Sequence, residues 1–326
     1  MRATKNGYVY VFLRQNCSCF TAESGLAEVR MNEKRYFLRI HPLPAFVFFV
    51  AALTVTMLSM HPVVLAASFV CAVVFCGFLY GVKKTASSLA YTFPLMVLVV
   101  LVNMAFVHRG ETYLFFLNDN PVTLEALLYG VAMSVMFAAI YYWCKCMTAV
   151  MTTDKWIFLF GKILPKFSML LALSVAFVPK FKRRYKQIDS AQRTLGVYSG
   201  QGVVDKLRYK FRVFGILVTD VLESSVTTAD SMRARGFGLA GRSTYSPCDF
   251  TAADGLLTAF CLAFGVLGTT MFALGGCRVA YYPTVTPPTF AAKDILCLTA
   301  ACAVFVMPII CEIKDDLLWH SLKSKI

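Results

Sequence analysis

Long apolar runs separated by short polar breaks fill the chain from 43 to 146 and return from 252 to 311. Between them, 151–251 has a different texture, with short apolar runs alternating with dense basic ones. Crossing about 30 Å of hydrocarbon at about 1.5 Å per residue takes roughly 20 predominantly apolar residues. Six stretches meet that length: 43–60, 63–81, 86–107, 123–146, 252–274 and 290–311. Two further runs, 167–178 and 213–222, fall well short of it. They read as helices that bury one face at the membrane surface or against each other, with a basic face towards the cytosol. The pattern therefore predicts an all-α integral membrane protein of about six transmembrane helices, with a large cytoplasmic helical region between the fourth and fifth. The organisation expected is a cytoplasmic N-terminal extension over 1–41, transmembrane helices 1–4 over 42–150, the cytoplasmic helices over 151–251, transmembrane helices 5–6 over 252–312, and a cytoplasmic tail over 313–326. The apolar stretch 8–13 is too short for a signal-peptide core, and Met31 opens a segment that reads like a natural start.

Composition strengthens this reading. The chain is 58% hydrophobic and 15% charged, with 28 Phe and a mean hydropathy of +0.64, against about half apolar and a quarter charged in soluble domains. A net charge of +14 would raise nucleic-acid binding in a soluble protein, whereas in a membrane protein it marks the cytoplasmic loops. The charges are placed accordingly. Block 151–251 holds 16 Lys and Arg, Lys83 and Lys84 follow the second span, and Arg30, Lys34, Arg35 and Arg39 precede the first. The opposite loops keep only Arg109, Arg278 and Lys293. Both termini are then cytoplasmic, no nucleic-acid partner is expected, and the lipid bilayer is the solvent.

Candidate chemistry is sparse. Of the 12 cysteines, Cys71, Cys76, Cys261, Cys297, Cys302 and Cys311 lie inside apolar runs, which suits small buried hydrophobes. Cys17/Cys19 and Cys144/Cys146 are C-x-C pairs without a nearby His, a poor zinc spacing. The ionisable Lys145, Asp254, Lys293 and Asp294 sit at span ends, where side chains can snorkel, whereas a self-sufficient transporter carries such groups at mid-membrane. Asn103 is the conspicuous interior polar residue, either an interhelical hydrogen-bonding group or a ligand contact. There is no phosphate-binding G-x-x-x-x-G-K-[ST] loop, H-E-x-x-H pair or nucleophile elbow. The expectation is a chain that is not an enzyme, with no catalytic, cofactor-binding or metal-binding residues of its own.

The most specific residues lie in and around the basic block: Thr152-Thr153 with Pro165 and Pro179 downstream, Ala191-Gln192 to Gly196, and Met232-Arg233-Ala234-Arg235-Gly236-Phe237-Gly238, with Arg242-Ser243 shortly after. In this order, between a fourth and a fifth span, the succession resembles the T component of energy-coupling factor (ECF) transporters, the transmembrane coupling protein of vitamin and metal-ion uptake systems, including the cobalt-transport type. The likeness runs from about Ile40 to the last span. It implies a multi-pass protein of the bacterial plasma membrane whose two long cytoplasmic coupling helices each end in an Arg flanked by small residues. Each helix end would dock in a groove of one of two cytosolic ABC ATPase subunits, which bind Mg-ATP. A separate small membrane subunit would bind the substrate, a vitamin or a transition-metal ion.

The residues are compatible with that role. Small neighbours Ala234 and Gly236 let a helix end approach another surface closely, and the Arg235 guanidinium offers a planar multi-donor group to a carboxylate. The alternative is a solvated Arg closing a helix C-terminus before Gly236. The first motif departs from the family pattern, because Leu195 stands where Arg is expected. Arg193, about 200° away around a helix, can replace it only if the helix has already unwound at Gly196. Docking is then asymmetric, ionic at Arg235 and apolar at Leu195, with Arg233 alongside. Gly161, Pro165, Pro179 and Gly196 are candidate hinges or ordinary helix terminators. The rival class is an autonomous membrane permease or membrane-embedded enzyme, with Tyr141, Tyr142 and Trp143 as a binding patch rather than core aromatics.

Overall fold

The computed structural model describes residues 36–107, 110–117, 120–161, 164–196, 202–237, 239, 250–277, 279–282 and 292–323. The expectations for the N-terminal extension before 36, for Arg109 and Arg278, and for Gly238, Arg242 and Ser243 lie outside the described residues. Two compact units are present; among the described residues one is made of 160–239 and the other of 36–159 and 250–323.

The larger unit is the apolar body. A short α1 (Tyr36–Arg39) leads into α2 (Pro42–Leu58), α3 (Pro62–Tyr80), α4 (Val82–Phe106) and α5 (Leu124–Val150), followed by α6 (Thr153–Gly161), α9 (Ala252–Ala273) and α10 (Ala292–Lys323). Punctuation along the sequence sets these boundaries. The His41 imidazole accepts from the Leu43 amide at 3.2 Å and Pro42 takes the first position of α2. Pro62 opens α3 after His61, which is held extended (φ −76°, ψ 124°), as a residue before proline is. Gly81, at φ 87°, divides α3 from α4. A capping box between Thr251 and Asp254 starts α9.

Among the described residues, five helices are long and apolar enough to cross a membrane: α3, α4, α5, α9 and the part of α10 from Ala292 to Leu317. The first expected span is the 17-residue α2, which lies at the short end of the spanning range of about 17–25 residues. The last is longer than expected, since α10 runs without a break from Ala292 to Lys323. A two-stranded antiparallel hairpin, β1 (Tyr113–Leu117) with β2 (Asn120–Thr123), joins α4 to α5. It is a small β addition to an otherwise helical chain among the described residues.

Aromatic rings fill the centre of this body. Phe37, Phe48, Phe49, Phe75, Trp143 and Phe305 are all fully buried, and the rings meet mostly edge to face, as at Phe48–Trp143 (5.6 Å) and Phe37–Phe75 (5.4 Å). The polar atoms inside are paired in a chain. Trp143 Nε1 donates to Ser68 Oγ at 3.0 Å, Ser68 and Thr56 share a 2.8 Å hydrogen bond, and Thr56 Oγ1 donates to the Ala52 carbonyl at 2.7 Å. In low-dielectric surroundings such a chain fixes the relative rotation of α2, α3 and α5, because each rotated alternative strands a polar group. Asn103 Nδ2 donates to the Ala126 carbonyl at 2.7 Å, across α4 and α5. A Cβ at Gly130 would lie 3.2 Å from that amide nitrogen, so the missing side chain is what admits Asn103. The interior polar residue is thus an interhelical bond.

The smaller unit contains α7 (Pro165–Thr194) and α8 (Val203–Ala234). The short apolar run at 167–178 and the basic run after it belong to one 30-residue helix, and the run at 213–222 sits inside a 32-residue one.

Candidate functional site: the ends and the clamp of the two long helices

Each long helix closes in the same way. In α8, Ala234 is the last helical residue and Arg235 caps it at φ −82°, ψ 10°. Gly236 follows at φ 75°. The Gly236 amide donates to the Arg233 carbonyl at 3.0 Å and the Phe237 amide to the Met232 carbonyl at 3.0 Å, the two bonds of a Schellman turn. In α7, Leu195 caps at φ −76°, ψ 1°, and Gly196 lies at φ 68°. The Gly196 amide donates to the Arg193 carbonyl at 3.1 Å. The left-handed conformation explains both glycines, since a Cβ is disfavoured there.

The turns put the motif residues in register. Leu195 matches Arg235, Thr194 matches Ala234, and Arg193 matches Arg233. Arg233, Ala234 and Arg235 are all exposed, and Leu195 is 72% exposed, a large apolar side chain in open solvent at a helix tip. Arg193 is engaged elsewhere. Its Nε lies 3.0 Å from Asp189 Oδ2, while the Tyr209 hydroxyl donates to Asp189 Oδ1 at 2.9 Å. Asp189 favours the charged guanidinium and holds the Arg193 pKa above its usual value. Arg193 thus pairs with Asp189 within α7, and Asp189 in turn joins the end of α7 to Tyr209 of α8.

About one-third of the way back along α7, a fork joins the helices. Arg184 Nε donates to Asp220 Oδ2 at 2.7 Å and Nη2 to Oδ1 at 2.5 Å. The hydrogen bond from Arg184 is the main cause that lowers the Asp220 pKa, and the same bond raises that of Arg184. Pro179, Lys180, Arg183 and Ser224 line a cleft of about 620 Å³ beside the fork. Tyr209 and Val213 are the buried residues of α8. At about 100° per residue, Asp220 shares their face, and Leu207, Phe211, Phe214, Val218 and Leu222 fall on the opposite one. All five are exposed. One buried face was expected from the sequence; that the face opposite it is apolar and exposed was not.

The hinge candidates separate by position. Gly161 is the last residue of α6 and Pro165 the first of α7, both places where a helix ordinarily ends or begins. Gly196 is the left-handed cap of α7. Pro179 lies inside α7, where it removes a helix hydrogen bond. The aromatic patch of the rival reading is not a surface. Tyr142 and Trp143 are completely buried, and only Tyr141, 47% exposed, reaches the outside. Two buried carboxylates escaped the sequence reading. Glu125 sits at the start of α5 and accepts from Thr112 Oγ1 at 2.6 Å. Glu312 in α10 accepts from the Phe37 amide at 3.1 Å. Glu312 was missed because the helix was expected to end at 311. Among the described residues no group of three or more His, Cys, Asp or Glu is placed to hold a metal ion.

These features define a multi-pass, all-α membrane protein that carries a two-helix basic unit with matched helix tips. Residues 37–245 match the model of the CbiQ cobalt transport protein family, and the chain belongs to that family. The match spans α1 to α8, hence both helix tips up to Gly236, and stops before α9. No individual curated protein matches the chain. The family is one of transport proteins rather than enzymes, and as a member of it the chain is a membrane component of a transport system.

Proposed function

We propose that the chain is the transmembrane coupling (T) subunit of an ECF-type importer in the bacterial plasma membrane. It links two cytosolic ABC ATPases to a small membrane subunit that binds the substrate, a vitamin or a transition-metal ion. The observation that carries this reading is the pair of matched tips, two long helices each ending in a left-handed glycine, with Leu195 and Arg235 exposed at the same position. A pair of ATPases presents two similar grooves, and two similar tips suit them. At Arg235 the planar guanidinium meets a carboxylate. At Leu195 the contact is apolar.

Membership of the cobalt transport family supports the uptake role, and 16 Lys and Arg in 151–251 support placing this unit and both termini in the cytosol. The apolar face of α8, turned away from α7, is the surface that suits the membrane subunit. When the ATPases close, their grooves carry the helix tips with them. The Arg184–Asp220 fork and the Arg193–Asp189–Tyr209 brace make α7 and α8 move as a pair, and Pro179 is where α7 bends most easily. Nucleotide chemistry stays on the ATPases, and this chain contributes no catalytic residue or cofactor. The test is co-purification of the complex from membranes, with substrate uptake measured alongside. Wild type is expected to bring down two ATPase subunits and one small membrane protein, and uptake by the chain expressed alone would overturn the reading.

A further inference from the structure

Between α9 and α10 the chain makes a turn that brings two distant thiols together. Gly275 (φ 91°) reverses the backbone, and the Gly276 amide donates to the Met271 carbonyl at 2.9 Å. A Cβ at Gly276 would lie 3.0 Å from that carbonyl oxygen, so glycine is required there. Cys277 comes next at φ 53°, the one non-glycine residue with positive φ among the described residues. Such a conformation costs energy for a residue with a Cβ and persists only where the surroundings enforce it. Here they do. The Cys277 amide donates to Asp294 Oδ1 at 2.6 Å, and its thiol donates to the Asp294 carbonyl at 3.3 Å. Cys297, one turn along α10, is close by: a Cβ at Gly276 would lie 3.9 Å from the Cys297 Cβ, and the two thiols interact.

We propose that Cys277 and Cys297 form a disulfide in the mature protein, tying the end of α9 to the start of α10. Both residues are buried, at 4% and 0% exposure. An open cavity of about 430 Å³, lined by Met60, Phe272, Gly276, Cys277 and Val279, reaches Cys277 from outside, so a small reagent or an incoming sulfur has a path. The step is thiol–disulfide exchange with an oxidising protein disulfide. One cysteine loses its proton and attacks the incoming S–S bond, releasing a thiol. The second cysteine then displaces the other half, so two S–H bonds are replaced by one S–S bond and the oxidant leaves as two thiols.

The compartment makes this pair different from the other contacting pair. Cys76 and Cys146 also interact with each other, inside the buried core, but they lie at the end of the body that carries Lys83, Lys84 and Lys145. Cys277 lies at the opposite end, where the Tyr281 hydroxyl donates to the Met60 carbonyl at 2.9 Å. On the orientation proposed above, the first pair faces the reducing cytosol and the second the oxidising exterior. The inference rests on that orientation, and the experiment reports the two separately.

Full-length protein in native membranes is denatured in acid, its free thiols are blocked with N-ethylmaleimide, and it is then reduced and labelled with a polyethylene-glycol maleimide. Wild type is expected to gain two adducts, Cys277→Ser and Cys297→Ser to gain none, and Cys76→Ala and Cys146→Ala to keep both. Mass spectrometry of unreduced wild type needs no variant and should find a crosslinked peptide joining 277 to 297, lighter by two hydrogens than its parts. Wild type without adducts, or adducts that survive both serine variants, would overturn the disulfide. In parallel, Ala280→Cys labelled in intact cells with an impermeant maleimide tests the orientation alone. Labelling there together with two free thiols at 277 and 297 would leave the topology standing and remove the disulfide.

Discussion

Leu195 and Arg235 occupy the same position at the tips of two different helices. Their φ values differ by 6° (−76° and −82°), and each precedes a glycine in the left-handed region. An apolar and a charged residue thus sit on nearly identical backbone platforms, and the two tips differ in chemistry rather than in shape.

That relationship sets unequal expectations for the two tips. If Arg235 meets a carboxylate in a desolvated groove, Arg235→Ala leaves that carboxylate buried and unpaired, at about 2–5 kcal/mol. ATPase co-purification and uptake should collapse, with membrane insertion intact. Arg235→Lys should recover only part, because an ammonium lacks the planar fork. Leu195→Ala removes apolar contact of about 1–3 kcal/mol and should hurt less. Wild-type ATPase recovery by Arg235→Ala would sink the docking role.

Arg184 and Asp220 should act as a unit. The side chains are 52% and 28% exposed, so solvent screens the pair and its contribution is modest. In a double-mutant cycle on thermal unfolding, Arg184→Ala and Asp220→Ala should be non-additive. The pH dependence follows from the depressed Asp220 pKa. The carboxylate's contribution is fully present above the ordinary Asp pKa of about 3.9 and is lost as pH falls through the lower folded value. The coupling should hold from neutral pH down to mild acid and vanish only in strong acid. Strict additivity at neutral pH would show that the fork couples nothing.

At Gly265, α9 passes close to Ala51 of α2. A Cβ there would lie 2.8 Å from the Ala51 Cβ, and a methyl group attached to the backbone cannot swing aside. Gly265→Ala should force the two helices apart and destabilise the body by about 1–3 kcal/mol, read as a lower unfolding temperature in detergent. Gly77→Ala is the control, since nothing lies within 4 Å of its Cβ position. Equal behaviour of the two variants would contradict the close approach.

Cysteines introduced at Ala280 and at Lys186 should report opposite sides of the membrane. Ala280 lies on the hydrogen-bonded end shared with Met60, and Lys186 lies in the basic unit. An impermeant maleimide added to intact cells is expected to label Ala280→Cys and to spare Lys186→Cys until the membrane is permeabilised. External labelling at Lys186→Cys would reverse the proposed orientation.

The sequence by itself determined the helical membrane body, five of whose helices have spanning length, because length and apolarity are local properties that hydrocarbon demands of each segment on its own. It also singled out Asn103 as the interior polar residue, and the family resemblance aligned Leu195 with the arginine position. Other features depended on which segments meet. Pairing of Arg184 with Asp220, 36 residues away, and of Asp189 with Tyr209 needs α7 and α8 laid side by side, and nothing local specifies that. Burial of Trp143 rather than Tyr141 is set by the rotation of α5 against Ser68 and Thr56. The meeting of Cys277 with Cys297 requires a turn that holds one cysteine in a left-handed conformation, and its cost is met by contacts with Asp294 that exist only after the chain has folded back on itself.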